Sequence, residues 1–427
     1  MSELFQRAQA FKRWEVRGKG NSFRMHITLL TQYYPPEIGA PQARLSELAG
    51  HFVKRGHLVT VLTAMPNYPT GRIHAGYGGI LLRDHQNDIN LIRTFIFATQ
   101  QARLARRMAN YLSFVMSSAI IGTLLLAHTD YLLVESPPLF LGLSGIWLSR
   151  MKRARMIFNV SDLWPESAAQ LGVLRRESNV FRASLLLEKL CYNRAWLVTG
   201  QSRSILADIE RRFPARPTFH LSNGVDTNKF CPSRQTDGAR ATLSDYAACV
   251  VLYAGLHGLA QGLEQILEAA DLLRDRTEVR FILIGDGPKK SHLTNYARER
   301  NLSNVTFLDP RPASEIPPLL AAADIVLVPL KQYIPGAVPS KLYEAMASAR
   351  PVILIAGGEA AEIVDRYKVG IVVRPGQIHE LANAIQRLYS DSQLRCTFGE
   401  NGRRAAEQNF DRAKIANRFI EHLEANL

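Results

Sequence analysis

Two glycine-rich turns stand out as places where the chain could hold an anion. They are Leu283–Pro288 (LIGDGP) and Tyr253–Gly262 (YAGLHGLAQG). Each follows a strand-like run, where glycine lets the backbone approach a ligand closely and the amino terminus of a following helix attracts negative charge. Each is equally consistent with a tight strand-to-helix turn. Neither contains GxGxxG, and no such motif follows the first strand-like run at Thr31, which disfavours a nicotinamide dehydrogenase.

A third candidate is Gly336–Ala347 (GAVPSKLYEAMA), in which Pro339 is suited to the first turn of a helix. Backbone N–H groups around Ser340 and Lys341 would then point at an anion, and the Lys341 ammonium would add a positive charge. Glu344, one turn later, is placed to accept hydrogen bonds from ribose-type hydroxyls. The alternative is an ordinary surface ion pair between Lys341 and Glu344, worth about 0.2–0.5 kcal/mol.

Several other chemistries lack their residue patterns. The sequence has no Asp-x-Asp and no His, Cys and acidic cluster with metal-ligand spacing. We therefore expect phosphate charge to be met by helix termini and by Lys or Arg, with neither a metal nor a cofactor. No GxSxG indicates an α/β-hydrolase. The four cysteines form no CxxC pair, which excludes a disulfide framework and suits a reducing compartment.

Composition sets the size and the charge of the protein. With 427 residues, 47% of them apolar and 21% charged, the chain should fold into two or three globular domains. Its 52 Lys and Arg exceed its 38 Asp and Glu, for a net charge of +14. Such an excess favours a negatively charged partner: nucleic acid, an anionic membrane face or a phosphate-bearing ligand.

Short apolar runs such as Leu58–Thr63 and Val279–Ile284 alternate with amphipathic segments along most of the chain. This alternation predicts two doubly wound, Rossmann-like α/β domains with parallel sheets, and a ligand cleft between the carboxyl ends of their strands. We expect a basic, disordered leader at 1–24, with Met25 as an alternative start. A first domain at 25–220 and a second domain at 246–408 would be joined by a linker at 221–245. A terminal helix at 409–427 could pack back on either domain, the amino-terminal one included.

One segment, Met108–Thr129, resembles a membrane span. It contains no charged side chain and follows Arg103, Arg106 and Arg107. Polar residues recur in it near helical spacing, which favours a buried or half-buried helix of an α/β domain over a span. A third interpretation is a basic, apolar surface that lies against anionic lipid, because no acid occurs between Ile89 and Thr129.

Taken together, the motifs resemble a known family. The series Ser222–Phe230 (SNGVDTNKF), YAGLHGLAQG, LIGDGP and VPSKLYEAMASARPVI is similar to retaining glycosyltransferases of the GT-B fold, glycosyltransferase family 4. TQYYPPEIGAPQARLSELA resembles the amino-terminal domain of that family. NVSDLWPESAAQLGVL resembles a branch that builds bacterial surface polysaccharides, the fucosamine transferase-like proteins. The resemblance runs from about Met25 to Leu427.

The resemblance implies a nucleotide-sugar donor, a UDP-sugar by preference, held mainly by the second domain, and a lipid-linked or saccharide acceptor held by the first. The attacking hydroxyl would approach from the side of the leaving group, and the departing phosphate would take its proton. In the family the last glutamate of E-x7-E binds the donor ribose, and Glu344 matches it. The implied donor-binding residues are Gly39, Gly255, Gly258, Gly285, Gly287, Arg311, Gly336, Val338, Pro339, Ser340, Lys341, Leu342 and Glu344.

The chain departs from the family pattern at three places. The first glutamate of E-x7-E is Gly336 here. The family's Arg and Lys that bind the diphosphate align with Leu256 and Gln261 here. Lys341 could neutralise the diphosphate in their place, with Lys331 or Arg350 as helpers. A frequent histidine is replaced by Glu135, since the spacing of His128 does not fit. The implied catalytic residues are Lys341, Glu135 and Asp162. Asp162 and Glu166 are candidate acceptor-side carboxylates, with helix capping and a surface turn around Pro165 as the alternative.

The leading hypothesis is a cytoplasmic glycosyltransferase, peripheral on the inner face of the plasma membrane, that adds a sugar to a polyprenyl-linked acceptor. An enzymatic alternative with the same fold is a nucleotide-sugar epimerase or a sugar-phosphate synthase acting on soluble substrates. A third hypothesis, a non-catalytic nucleic-acid binder, is suggested by the net charge of +14. The scattered basic residues argue against it, so we expect no nucleic acid partner.

Overall fold

The computed structural model describes residues 24–68, 70–99, 104–170, 172, 174–243 and 249–427. The expected leader, apart from Arg24, lies outside the described residues, as do Arg103 and residues 244–245 of the expected linker. The described residues form two α/β domains, each built on its own sheet.

The first sheet has eight strands in the order β3-β4-β2-β1-β5-β6-β7-β8. All neighbours pair in parallel except β3 and β4. Its inner strands are apolar almost throughout, as strands covered on both faces must be. The strands are β1 His26–Thr31, β2 Leu58–Ala64, β3 Leu81–Gln86, β4 Ile89–Thr94, β5 Tyr131–Ser136, β6 Arg155–Val160, β7 Leu197–Gly200 and β8 Thr218–His220.

Helices cover both faces of the first sheet. Their ends follow local chemistry: Pro41 lies in the first turn of α1, and the hydroxyls of Ser178 and Ser202 cap α5 and α6 by accepting hydrogen bonds from Phe181 N and Ile205 N. The helices are α1 Ala40–Lys54, α2 Leu104–Leu125, α3 Leu141–Lys152, α4 Glu166–Gln170, α5 Asn179–Arg194 and α6 Arg203–Arg212.

Helix α2 contains the segment that resembles a membrane span. Among the described residues it is the one helix, over Ala105–Leu125, that is long and apolar enough to cross a membrane, and 28% of its most apolar stretch is buried. It connects β4 to β5, which are parallel strands of the same sheet, and it packs against α3 and β2. A crossover helix of this kind returns the chain to the sheet, so α2 packs as a partly buried helix of the first domain. Its exposed apolar side chains are also compatible with the lipid-facing interpretation.

The second sheet has six parallel strands in the order β11-β10-β9-β12-β13-β14. Its strands are β9 Cys249–Ala254, β10 Val279–Ile284, β11 Val305–Leu308, β12 Ile325–Pro329, β13 Val352–Ile355 and β14 Gly370–Val373. Its helices are α7 Asp237–Leu243, α8 Glu264–Leu272, α9 Lys290–Glu299, α10 Ile316–Ala322, α11 Ser340–Ala347, α12 Glu359–Tyr367, α13 Ile378–Ser390 and α14 Ser392–Ala405.

The chain ends by returning to the first domain. After a π-helical turn at Ala406–Phe410, helix α15 (Arg412–Glu424) packs on α1, where Phe419 and Ile420 are buried beside Phe52. The hydroxyl of Tyr131 on β5 donates a hydrogen bond to the carbonyl oxygen of Leu423 (2.9 Å). The chain therefore connects the two domains twice, once on leaving the first domain and once on returning to it with α15.

Candidate functional site

The carboxyl edges of the two sheets face each other. Glu359 at the start of α12 accepts hydrogen bonds from the backbone N–H groups of Arg203 (2.9 Å) and Ser204 (2.7 Å) at the start of α6. A second contact joins the domains, since the Gln332 side chain donates to the carbonyl oxygen of Gln170 (2.9 Å). Each of these residues follows the carboxyl end of a strand. The two domains therefore touch at the carboxyl ends of their strands, where the cleft is predicted.

The two glycine-rich turns interlock within the second domain. Gly255 N donates to Ile284 O, and His257 N donates to Asp286 O, both at 2.8 Å. Gly285 has φ +145°, and a Cβ there would stand 1.9 Å from the carbonyl oxygen of Gly255. At Gly287 a Cβ would stand 2.5 Å from the carbonyl oxygen of His257. Glycine is required here because two backbones pack against each other, a reason that the sequence alone did not indicate.

Lys341 reaches this pair of turns from α11. A Cβ at Gly255 would lie 2.2 Å from Lys341 Cε and 2.7 Å from its Nζ, so the lysine side chain lies directly against that turn. Its ammonium has no hydrogen-bond or ion-pair partner in the described ranges. Pro339 precedes the helix, and no side chain caps the helix amino terminus. Free N–H groups and a free cation therefore meet at the edge of the sheet.

Glu344 lies one turn beyond Lys341 on the same face of α11, because residues three apart in a helix are neighbours. No ion pair joins the two side chains, and the Glu344 carboxylate has no partner within the part of the chain that the structure describes. It is half-buried, so it can accept hydrogen bonds from a bound molecule. The ordinary surface pair allowed by the sequence is not formed.

The structure shows contacts within the protein for several other residues whose donor-binding role is predicted. Gly336 (φ +75°) touches the first domain, since a Cβ there would stand 2.5 Å from Ile205 Cγ1 on α6. The side chains of Val338 and Leu342 are buried in the core of the second domain, so only their backbone could meet a ligand. Arg311 follows the edge strand β11 and lies 3.7 Å from Glu315. Gly258 lies in the turn that follows β9, where a Cβ would meet the Gln261 side chain.

Gly39 lies at the opposite wall of the cleft, where it immediately precedes α1. Its loop is held by Glu37, whose buried carboxylate accepts N–H groups from Tyr34, Asn67 and Tyr68 at 2.8–3.2 Å. Burial raises the pKa of Glu37, and these backbone hydrogen bonds oppose that rise. The carboxylate therefore braces the turn that carries Gly39.

Glu135 at the end of β5 is 2% exposed, and its carboxylate is fully occupied. It pairs with Arg44 Nη2 (2.7 Å) and accepts hydrogen bonds from Ser161 Oγ and Asn159 Nδ2, both at 2.5 Å. These contacts favour a positioning role, in which Glu135 holds α1 and β6 through Arg44 and Asn159. The catalytic role that the resemblance implies for Glu135 stays a prediction. Sequence reasoning missed Arg44, its partner 91 residues away.

Asp162 follows β6 and lies next to Ser161 at the carboxyl edge of the first sheet. Burial raises its pKa, while the Ser167 hydroxyl and the Leu163 N–H counteract the rise. Glu166, in contrast, forms a surface ion pair with Arg176 (2.9 Å). Glu166 is thus held at the surface, whereas Asp162 lies at the carboxyl edge of the sheet. The acceptor-side role of either carboxylate stays a prediction.

The fold-bridging residue Glu359 and the buried His257 were not identified from the sequence. Glu359 follows Gly357 and Gly358 at the end of β13, and this glycine pair at a strand end is the signal that could have revealed it. His257 is fully buried in the β9 turn with neither ring nitrogen bonded. Burial lowers its pKa to about 4, so its ring is uncharged near neutral pH.

Two models of known protein domains match the chain. Residues 39–224 match the glycosyl transferase 4-like domain, and residues 243–405 match glycosyl transferases group 1. The protein is a glycosyltransferase. The two matches correspond to the two structural domains and meet at the cleft.

Solved glycosyltransferase structures share the arrangement of both domains. Sucrose-phosphate synthase from Thermosynechococcus elongatus superposes with a TM-score of 0.76 at 21% identity, covering 95% of this glycosyltransferase and 100% of that chain. HepE of Anabaena, solved with UDP and glucose, gives 0.71 at 22% identity and covers 94% and 100%. WaaG, a glycosyltransferase involved in lipopolysaccharide biosynthesis, gives 0.67 at 19% and covers 92% and 98%. The predicted GT-B fold is confirmed.

Among similar sequences, WcaI of Escherichia coli K12, named as a glycosyl transferase of colanic acid biosynthesis, is 24% identical over 413 residues. That similarity covers 93% of this glycosyltransferase and 100% of WcaI. WbjE of Pseudomonas aeruginosa, named as a glycosyltransferase, is 27% identical over 240 residues, covering 55% and 60% of the two chains.

Proposed function

We propose that this glycosyltransferase moves a hexose-type sugar, with retention of its anomeric configuration, from a nucleotide sugar to a polyprenyl-linked or saccharide acceptor during the synthesis of a bacterial surface polysaccharide. One observation carries the proposal: the Lys341 ammonium, which has no partner among the described residues, lies against the Gly255 turn at the uncapped start of α11. A pyrophosphate seated there meets a cation and free N–H groups together. The expected cellular location of the protein is the cytoplasm, at the inner face of the plasma membrane.

The chemistry follows from the charge that develops on the leaving group. As the bond between the anomeric carbon and the phosphate oxygen breaks, negative charge grows on the nucleoside diphosphate, where Lys341 and the N–H groups of α11 stabilise it. The acceptor hydroxyl forms the new bond on the same face of the sugar, and its proton passes to the departing phosphate oxygen. Electrons and protons balance without a protein nucleophile, a metal or a cofactor.

The donor and the acceptor are suggested by different relatives. HepE was solved in complexes with UDP and with UDP-glucose, which supports a UDP-sugar as the donor. WcaI and WaaG are named for colanic acid and lipopolysaccharide biosynthesis, which supports an acceptor of a surface polysaccharide. Glu344, half-buried and unpaired in the described ranges, would accept the ribose hydroxyls of the donor.

Titration calorimetry of the full chain with UDP, GDP and their sugars tests the donor. Transfer assays with polyprenyl-linked and water-soluble acceptors then test the reaction, and NMR of the product shows its anomeric configuration. We expect UDP to bind more tightly than GDP and the product to keep the configuration of the donor. Failure to bind any nucleoside diphosphate would overturn the proposal, and turnover of nucleotide sugar without an acceptor would favour an epimerase.

A further inference from the structure

Helix α2 is arranged with its polar side inward. Asn110 donates to the carbonyl oxygen of Phe97 (2.8 Å), and Ser113 Oγ accepts the N–H of Phe97 (2.8 Å). One turn later, Ser118 Oγ lies 2.9 Å from Ser144 Oγ on α3. The polar side chains of the helix are therefore hydrogen-bonded within the first domain. A helix that faces water normally turns its polar side outward, so the orientation of α2 is the reverse.

The opposite edge of α2 is apolar and faces outward. Leu112, Met116, Ile120 and Leu124 follow one another at four-residue spacing, and they are 41%, 60%, 54% and 71% exposed. Residues four apart lie above one another on a helix, so these side chains form a continuous stripe. A single exposed leucine needs no explanation, but four in a row on one face do.

Helix α3 extends this surface. Leu143, Trp147 and Met151 are 39%, 50% and 48% exposed, again at four-residue spacing. The indole N–H of Trp147 donates to Thr123 Oγ1 on α2 (2.9 Å), so the two stripes lie side by side. We call the seven side chains of the two stripes the apolar face. Beside it an apolar groove of about 540 Å³ is lined by Ile80, Phe95, Met116 and Ile120, among others.

The charges on these helices have one sign. Arg106 and Arg107 begin α2, Arg150 and Lys152 end α3, and neither helix contains an acidic residue. Basic side chains at both ends of an apolar surface complement a layer of anionic lipid headgroups. Trp147 adds an amphipathic ring, of the kind enriched where apolar and polar layers of a membrane meet.

We propose that the apolar face rests on the anionic surface of a lipid bilayer, with α2 and α3 lying flat on it. The proposal extends the proposed function, since a polyprenyl-linked acceptor lies in a membrane, and it identifies the face of the protein that meets that membrane. The side chains of the apolar face would enter the acyl boundary, and the four basic residues would remain among the headgroups. Both helices begin where their preceding strands, β4 and β5, end, so the carboxyl edge of the first sheet would lie beside the bilayer.

Co-sedimentation with vesicles tests the face directly. We expect the full chain to bind vesicles of phosphatidylcholine with phosphatidylglycerol, more weakly as salt rises, and to bind pure phosphatidylcholine poorly. Ile120→Glu and Leu124→Glu should each lower vesicle affinity by roughly tenfold or more, because a carboxylate would enter the acyl boundary. Leu186→Glu is the matched control, since Leu186 on α5 is 69% exposed in the same domain but outside the apolar face.

Any of three results with vesicles would overturn the inference: an unmodified chain that does not sediment with anionic vesicles, unchanged binding by Ile120→Glu, or an equal loss in Leu186→Glu. A dimer at micromolar concentration that Ile120→Glu dissociates would assign the face to a second copy instead. Transfer to a water-soluble acceptor separates this test from the proposed function. Ile120→Glu should keep that activity, and if the unmodified chain lacks it while still binding vesicles, the proposed function fails alone.

Discussion

Lys341 crosses the turn at Gly255 so closely that a methyl group on Gly255 would stand 2.2 Å from the lysine Cε. The lysine side chain therefore lies at the carboxyl edge of β9, beside the contact between the turns that follow β9 and β10. A cation at that position stabilises the transition state more than the bound substrate, because the leaving group gains its charge as the bond breaks.

Replacing Lys341 by Ala should lower kcat by about 100-fold or more while changing UDP affinity only a few-fold, because the charge on the leaving group is greatest in the transition state. Steady-state kinetics and calorimetry with UDP measure the two effects. Lys189→Ala, at an exposed position on α5, is the comparison and should be nearly silent. An unchanged kcat in Lys341→Ala would move the role to another residue.

Replacing Glu344 by Ala should weaken nucleoside binding with the fold retained, since the carboxylate has no partner to lose in the described residues. Loss of hydrogen bonds to a charged group corresponds to about 1.5–3 kcal/mol, or roughly a 10- to 150-fold higher Kd. Calorimetry with UDP and with 2′,3′-dideoxy-UDP gives a specific check. The unmodified protein should prefer UDP and the variant should not, and a preference kept by the variant would show that the ribose lies elsewhere.

The Glu359 carboxylate holds the two domains together through the N–H groups of Arg203 and Ser204. Glu359→Ala removes two charge-assisted hydrogen bonds at a helix amino terminus, so we expect the domains to open and the KM for the donor to rise several-fold. Small-angle scattering should show a larger radius of gyration. Glu362→Ala, an exposed glutamate in the same helix, is the matched control, and equal behaviour of the two variants would refute the bridging role.

Glu135→Gln should cost about 3–5 kcal/mol of unfolding free energy, because it leaves the Arg44 guanidinium buried without its counterion. Urea denaturation measures the loss. The double variant Arg44→Met with Glu135→Gln should be more stable than Glu135→Gln alone, since the uncompensated charge is gone. Should Glu135→Gln instead fold with full stability and lose its turnover, the residue would be catalytic after all.

Burial lowers the pKa of His257 from 6.5 to about 4. The unfolded chain therefore takes up a proton as the pH falls below about 6.5, whereas the folded chain resists protonation until about pH 4. Stability linked to this group is complete above pH 6.5 and falls by up to about 3 kcal/mol on acidification to pH 4. His257→Phe should lose less stability between pH 7 and pH 5 than the unmodified protein, and equal slopes would contradict the assignment.

Much of the fold was predictable because buried parallel strands are apolar along their whole length. Leu58–Thr63 and Val279–Ile284 correspond to β2 and β10, and the order of motifs indicated the GT-B arrangement. Strand β3, Leu81–Gln86, could not be found in this way. It is a mostly exposed edge strand that pairs antiparallel with β4, so its polar side chains carry no apolar run.

By itself the sequence determined which short segments could bind an anion, since glycine, proline and lysine act through local backbone geometry. Only the tertiary structure decided which groups remain free. Glu135 forms an ion pair with Arg44, whereas Lys341 and Glu344 have no partner among the described residues. The close contact between Gly285 and Gly255 requires glycine at position 285. The tertiary structure also decided which edge of α2 faces outward. A periodic pattern shows that a helix has two edges, but only packing against the sheet and α3 determines which edge is buried.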